Sequence, residues 1–188
     1  HQYSGWNPQS VVIDGGAHDN VFMNNNISGG RYGFEVYSAH NNLFKNNVIS
    51  LIYLDWANNN SIINNSLNAV DLIIKSNYNS IVDNTLTYGG IILSDVYFNF
   101  ISKNKINYAP VAVMFWLGGK DKSSNNSIIN NEFWYSLGAD SNMVSWGLQK
   151  YNFSIDYGLL TYTNNTIYNN LITPNVNGEC SSAIKERC

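Results

Sequence analysis

Four carboxylates, Glu35, Asp55, Asp71 and Asp95, recur along the chain where chemistry could be done. Hydrolysis of a glycosidic bond needs two carboxylates at a defined separation, one protonated as acid and one ionised. The sequence alone fixes no such pair, so these acids are expected to be solvated groups of turns and loops. Two imidazoles form the second constellation. His18 in Ala-His-Asp-Asn and His40 in Ala-His-Asn-Asn occupy equivalent places. Two stacked histidines could share a metal or respond to pH, but only Asp19 stands beside them as a third donor, and no metal site is expected. The third group is aromatic: Trp116, Trp134, Tyr135, Trp146 and Tyr151, joined by Tyr157 and Tyr162, crowd two stretches. Flat rings of this kind stack on sugars or anchor a protein partner. These five are the candidate binding residues, and no catalytic residue is assigned.

What positions these groups is a short repeat. From Asn20 the pattern reads Asn, an apolar residue two on, Asn five on and an apolar residue seven on. It returns from Asn42, Asn60, Asn79, Asn99, Asn126 and Asn165, seven copies in all. The second Asn of each copy falls at Asn25, Asn47, Asn65, Asn84, Asn104, Asn131 and Asn170. The residue three before the first Asn is small in most copies: Ala17, Ala39, Ala57, Ser76 and Ser123. Copies start 22, 18, 19, 20, 27 and 39 residues apart.

A period near 20 fits one coil of a β-helix with three short strands and three turns. Apolar residues two apart share one face of a strand. Asn accepts left-handed backbone angles, which suits the turns. Stacking coils ~4.8 Å apart lets equivalent Asn side chains bond into ladders and aliphatic side chains fill the interior. No coil can bury its own face, so the stack is the unit of stability. A leucine-rich frame is absent, and Asn, Gly, Ser and β-branched residues argue against helical repeats.

The runs NNSIINNSL, YNSIVDNTL and NNTIYNNLI resemble NosD-like periplasmic proteins and the wider pectin-lyase-like superfamily. The resemblance covers roughly residues 10 to 173. It implies an all-β fold, a right-handed parallel β-helix of about seven to eight coils. Activity is not implied, because the superfamily spans lyases, hydrolases, adhesins and scaffolds. Its hydrolases carry Asn-Thr-Asp, Asp-Asp, Gly-His-Gly and Arg-x-Lys sets, and none occurs here. Its lyases pair calcium-binding acids with a basic residue. Arg31 and Lys45 lie in suitable coils, with no acid pair fixed beside them. The acids sit 15, 13, 11 and 16 residues beyond the first Asn of their own copies, which predicts no single clean column.

Domain organisation follows. Residues 1–173 form the β-helix, with insertions at about 107–125 and 134–163. Long insertions on a repeat scaffold emerge as loops on one face. Residues 174–188 form a tail, and Cys180 and Cys188 are expected to close it with a disulfide in an oxidising compartment. Sequons occur at Asn26, Asn59, Asn64, Asn125, Asn152 and Asn164, none on a ladder position, so alternation points them outward as expected glycan carriers.

Composition limits the rest. Charged residues make up 12% and the net charge is -3, so there is no basic face to attract nucleic acid. Val111 to Leu117 is far short of the ~20 residues of a membrane span. The chain opens at His1, which reads as a processed or excised piece, and no helix pattern caps the first coil. An open end invites another chain. The expectation is an extracellular or cell-surface, non-catalytic module without cofactor. It would be a glycosylated structural or binding subunit meeting other protein subunits and carbohydrate. A polysaccharide lyase or hydrolase and a NosD-type metal-handling protein are the alternatives.

Overall fold

The computed structural model describes residues 11–27, 32–73, 75–87, 89–107, 113–115, 123–134, 166–169 and 171–173. Every described element is a β-strand, and every pairing between strands is parallel. One sheet stacks β2 (Val21–Met23), β5 (Leu43–Lys45), β7 (Ser61–Ile63), β9 (Ser80–Val82), β12 (Phe100–Ser102), β15 (Ser127–Ile129) and β17 (Thr166–Tyr168) in chain order. These seven strands are the first halves of the seven repeat copies. The fold is a parallel β-helix.

The other sheet holds β1 (Val11–Ile13), β3 (Asn26–Ile27), β4 (Phe34–Tyr37), β6 (Val48–Asp55), β8 (Ser66–Ile73), β10 (Thr85–Thr87), β11 (Ile91–Ser94), β13 (Lys105–Asn107), β14 (Val113–Phe115), β16 (Glu132–Trp134) and β18 (Leu171–Thr173). Strands β6 and β8 run through a corner. Their first residues pair with β3 and β10, and their last with β4 and β11.

Inside, like stacks on like. Phe44, Ile62, Ile81, Ile101 and Ile128 form one buried column, entered by Phe22. Phe22 and Phe44 stack at 5.2 Å, and Phe34 meets both rings edge-on. Ile49, Leu67, Leu86 and Ile106 form a second column. The small residues Ala39, Ala57 and Ser76 are also buried, where a coil corner leaves little room. Each fully buried Ile or Leu contributes roughly 1.5–3 kcal/mol.

Two asparagine ladders flank the seven-stranded sheet. Asn65 is typical. Its Nδ2 donates to Phe44 O on the preceding coil at 2.9 Å and to Asn84 Oδ1 on the next at 3.0 Å, and its backbone N–H reaches the same Oδ1 at 2.8 Å. The arrangement runs from Asn25 to Asn131 and, in the parallel ladder, from Asn20 to Asn126. From Asn42 and Asn47 onward these amides are buried with their acceptors used, which is what makes a polar interior stable, while the first rungs, Asn20 and Asn25, are exposed.

The left-handed residue is not the ladder Asn itself, where an Asn-for-turns argument would put it. It is the residue just before: Asp19, Asn41, Asn59, Tyr78, Phe98 and Asn125 in one series, and Asn24, Asn46, Asn64, Asp83, Lys103, Asn130 and Asn169 in the other. The ladder Asn needs extended backbone to place its N–H on the next coil, so the bend falls one residue earlier. A third left-handed series, Ser38, Trp56, Lys75 and Asp95, marks another corner.

Candidate functional site

Strand β4 alternates strictly: Phe34 and Val36 point inward, and Glu35 and Tyr37 face out. The end of β6 does the same, with Tyr53 and Asp55 outward. Register sets Glu35 beside Tyr53 and Tyr37 beside Asp55 on the adjacent coil. Each acid is therefore diagonal to the other across a pair of tyrosines. The next coil sets Asp71 beside Tyr53 in the backbone register. So Glu35, Tyr53 and Asp71 share one column, with Asp55 one column away. Offsets from the first Asn hid this, because the turns between coils differ in length. Two of the four acids, Glu35 and Asp71, thus share a register column, while Asp55 and Asp95 lie outside it and the four form no single column.

The tyrosines make the face continuous. Tyr53 meets Tyr32 at 5.5 Å and Tyr37 at 5.7 Å between ring centres, in tilted and edge-on geometries. Tyr37 Oη donates to Glu35 Oε2 at 3.1 Å. Burial, and then the Glu35 carboxylate, push the Tyr37 hydroxyl far above its usual range, so it stays protonated and remains a donor. Burial also raises the Asp55 carboxyl. Asp55 as a whole is half-buried, but its Oδ1 is shielded from solvent and has no hydrogen-bond partner in the structure. A shielded, unpaired carboxylate oxygen favours the protonated form.

The rim of this face is cationic and aromatic. Trp56 follows Asp55 in left-handed backbone, is exposed, and carries Lys75 Nζ over its ring at 4.1 Å. Asp95 stands apart: Tyr97 Oη donates to its Oδ1 at 2.8 Å. The sequence pointed to the acids but not to the tyrosines between them. The signal was available in the Tyr-x-x-Glu-x-Tyr run at 32–37 and in the alternation of residues 51–55.

His18 and His40 do stack as a parallel bridge on adjacent coils. His18 Nδ1 sits 2.7 Å from Asp19 Oδ2, and that hydrogen bond holds the Asp19 carboxyl below its ordinary value. His40 Nδ1 is buried without a partner. Among the described residues no three His, Cys, Asp or Glu side chains are grouped to hold a metal. Of the aromatic candidates, Trp116, Tyr135, Trp146 and Tyr151 lie outside the described residues, and for Trp134 only its place at the end of β16 is described. Cys180, Cys188, Asn152, Asn164 and the ladder residue Asn170 also lie outside them. Asn26, Asn59, Asn64 and Asn125 are all exposed.

The family model for the periplasmic copper-binding protein NosD matches residues 2–155 of the 188. The chain belongs to the NosD family. No curated protein and no solved structure matches it. The periplasmic description of NosD agrees with a place outside the cytoplasm. The copper in the NosD description finds only His18, His40 and Asp19 among the described residues, a donor set that does not fit a closed metal site.

Proposed function

We propose that the chain is a non-catalytic binding module of an extracytoplasmic assembly, and that its ligand is a saccharide lying across the Tyr32–Tyr53–Tyr37 face. The observation that carries this reading is the contact of three outward tyrosines with Glu35 and Asp55 set between them. Rigid rings on stacked strands offer apolar faces to the C–H surfaces of pyranose rings at little entropic cost. The carboxylates accept from sugar hydroxyls. Their negative charge favours neutral or amino sugars over uronic acids. A structural role for the module, with other subunits meeting it, fits a stack held by its own ladders.

Calorimetric titration with neutral, amino-sugar and uronic-acid oligosaccharides tests this reading. Binding of the first two, weakened at least tenfold by Tyr53→Ala with the fold intact, supports it. Equal binding by wild type and Tyr53→Ala, or no binding of any of the three classes, sinks it.

A second reading is favoured by the raised Asp55 carboxyl. An acid whose carboxyl burial raises, diagonal in register to a second acid, Glu35, resembles the unequal carboxylate pair that a glycosidase uses. Release of reducing ends from a bound oligosaccharide, abolished by Asp55→Asn and by Glu35→Gln, would replace the non-catalytic reading. Metal handling as in the NosD description would need donors beyond His18, His40 and Asp19.

A further inference from the structure

The left-handed series that precedes the first ladder contains Asp19, Asn41, Asn59 and Asn125, the residue types that tolerate positive φ. Tyr78 and Phe98 interrupt it, each with φ of 57°. Bulky aromatic side chains are poorly suited to this conformation, and such strain persists where something uses it. The two rings are 57% and 49% exposed, so burial does not account for them. They stack on each other with centres 5.1 Å apart and planes 3° from parallel. That separation is close to the coil spacing, so the ring planes lie across the stacking direction. One outer ring face is turned toward the coil before and the other toward the coil after.

Both of those coils present a sequon at the same position. Asn59 N–H bonds to Asn77 O, which sets Asn59 beside Tyr78, and Phe98 N–H bonds to Ser124 O, which sets Phe98 beside Asn125. The column therefore reads Asn59, Tyr78, Phe98, Asn125. Asn59-Asn60-Ser61 and Asn125-Asn126-Ser127 are both acceptor sequences, and both asparagines are exposed. We propose that the Tyr78–Phe98 stack seats the first sugars of N-linked glycans carried by Asn59 and Asn125, one on each outer ring face.

The chemistry is that of a lipid-linked saccharide phosphate donor. Nδ2 of the asparagine bonds to the anomeric carbon. The anomeric C–O bond breaks, the lipid phosphate leaves with the electron pair, and one amide proton passes to a base. The other N–H stays. In Asn125 the amide donates to Ser124 Oγ at 3.2 Å, a bond that one remaining proton can keep. Asn60 and Asn126, the middle residues of the two sequons, are buried in the ladder, so transfer precedes closure of that rung. Asn64 provides an internal contrast. It is also an exposed sequon, but its own left-handed series sets it between Asn46 and Asp83, where no ring is present.

The test uses the whole chain, secreted from a host with N-glycosylation machinery and made separately in a host without it. Glycopeptide mass spectrometry reads occupancy, and melting reads the effect of the sugars. The expected result is occupied Asn59 and Asn125, with the glycosylated protein melting about 2–4 °C above the bare one. That increment disappears in Asn59→Gln/Asn125→Gln. It also disappears in Tyr78→Asp/Phe98→Asn, which brings in residue types this column already carries at Asp19 and Asn41, creates no new acceptor sequence, and is expected to fold. Bare Asn59 and Asn125 in the glycosylating host would overturn the proposal. So would an increment that survives Tyr78→Asp/Phe98→Asn.

Discussion

Asn65 Oδ1 accepts two hydrogen bonds from Asn47 on the preceding coil, the backbone N–H at 2.9 Å and Nδ2 at 3.0 Å. No other side chain of similar size both receives that pair and donates two protons onward. Serine lacks the second donor and aspartate lacks both.

Asn65→Ala removes the acceptor for Asn47 and the donors to Phe44 O and Asn84 Oδ1. The expected cost is about 2–4 kcal/mol, from several buried groups left unmatched. Asn65→Asp should cost more at pH 7, because it sets a charged oxygen against two other oxygens. It should recover part of that loss at pH 3, where the carboxyl carries a proton. Urea unfolding of both variants at the two pH values reads this. Equal stability of Asn65→Asp at pH 3 and 7 would rule out the ladder geometry as the cause.

Phe44→Ala is expected to destabilise the chain by about 3–5 kcal/mol. The ring is fully buried, stacked on Phe22 and met edge-on by Phe34 at 4.9 Å. Phe44→Ile should be far milder, since isoleucine fills the same column at Ile62, Ile81, Ile101 and Ile128. A denaturant midpoint that ranks Phe44→Ile below Phe44→Ala would contradict the column.

The pH dependence of Asp55 has a definite sign. Burial raises its carboxyl above the ordinary 3.8, so the folded chain holds this proton more tightly than the unfolded chain. Its contribution is full below 3.8 and is lost as pH rises through the folded value. Asp55→Asn, similar in size and without titration, should melt above wild type at pH 7 and converge with it near pH 3. Asp19, held low by His18, works in the opposite direction: its contribution is present above 3.8 and lost as pH falls. Melting curves of Asp55→Asn and Asp19→Asn from pH 3 to 7 should diverge from wild type with opposite slopes.

Tyr37→Phe deletes only the hydroxyl that donates to Glu35. If the tyrosine face binds saccharide, this variant should weaken binding severalfold, less than Tyr53→Ala, whose ring touches both neighbours. Titration calorimetry of the two variants gives the order, and the reverse order would move the ligand off Tyr53.

The coil was legible because its rule is local. Asn at the first and sixth places of each copy, with apolar residues between and after, fixes the parallel pairing that β2, β5, β7, β9, β12, β15 and β17 display. The candidate face was not legible for an equally physical reason. Glu35, Tyr53 and Asp71 become neighbours through register along β4, β6 and β8, and register there depends on how many residues each turn consumes. Counting from the first Asn carries that variation into every position beyond the turn. The identity of the left-handed residues was likewise hidden, because Tyr78 and Phe98 do not look like turn formers.

The two ladders are indifferent to what lies between their rungs. Asn47 reaches Asn65 across 18 residues and Asn104 reaches Asn131 across 27, with the same 3.0 Å amide contact. Contour length can therefore be added between rungs without disturbing neighbours above or below. Such a chain behaves like a spine to which excursions are appended one rung at a time, and each excursion can diversify while the spine keeps its pitch.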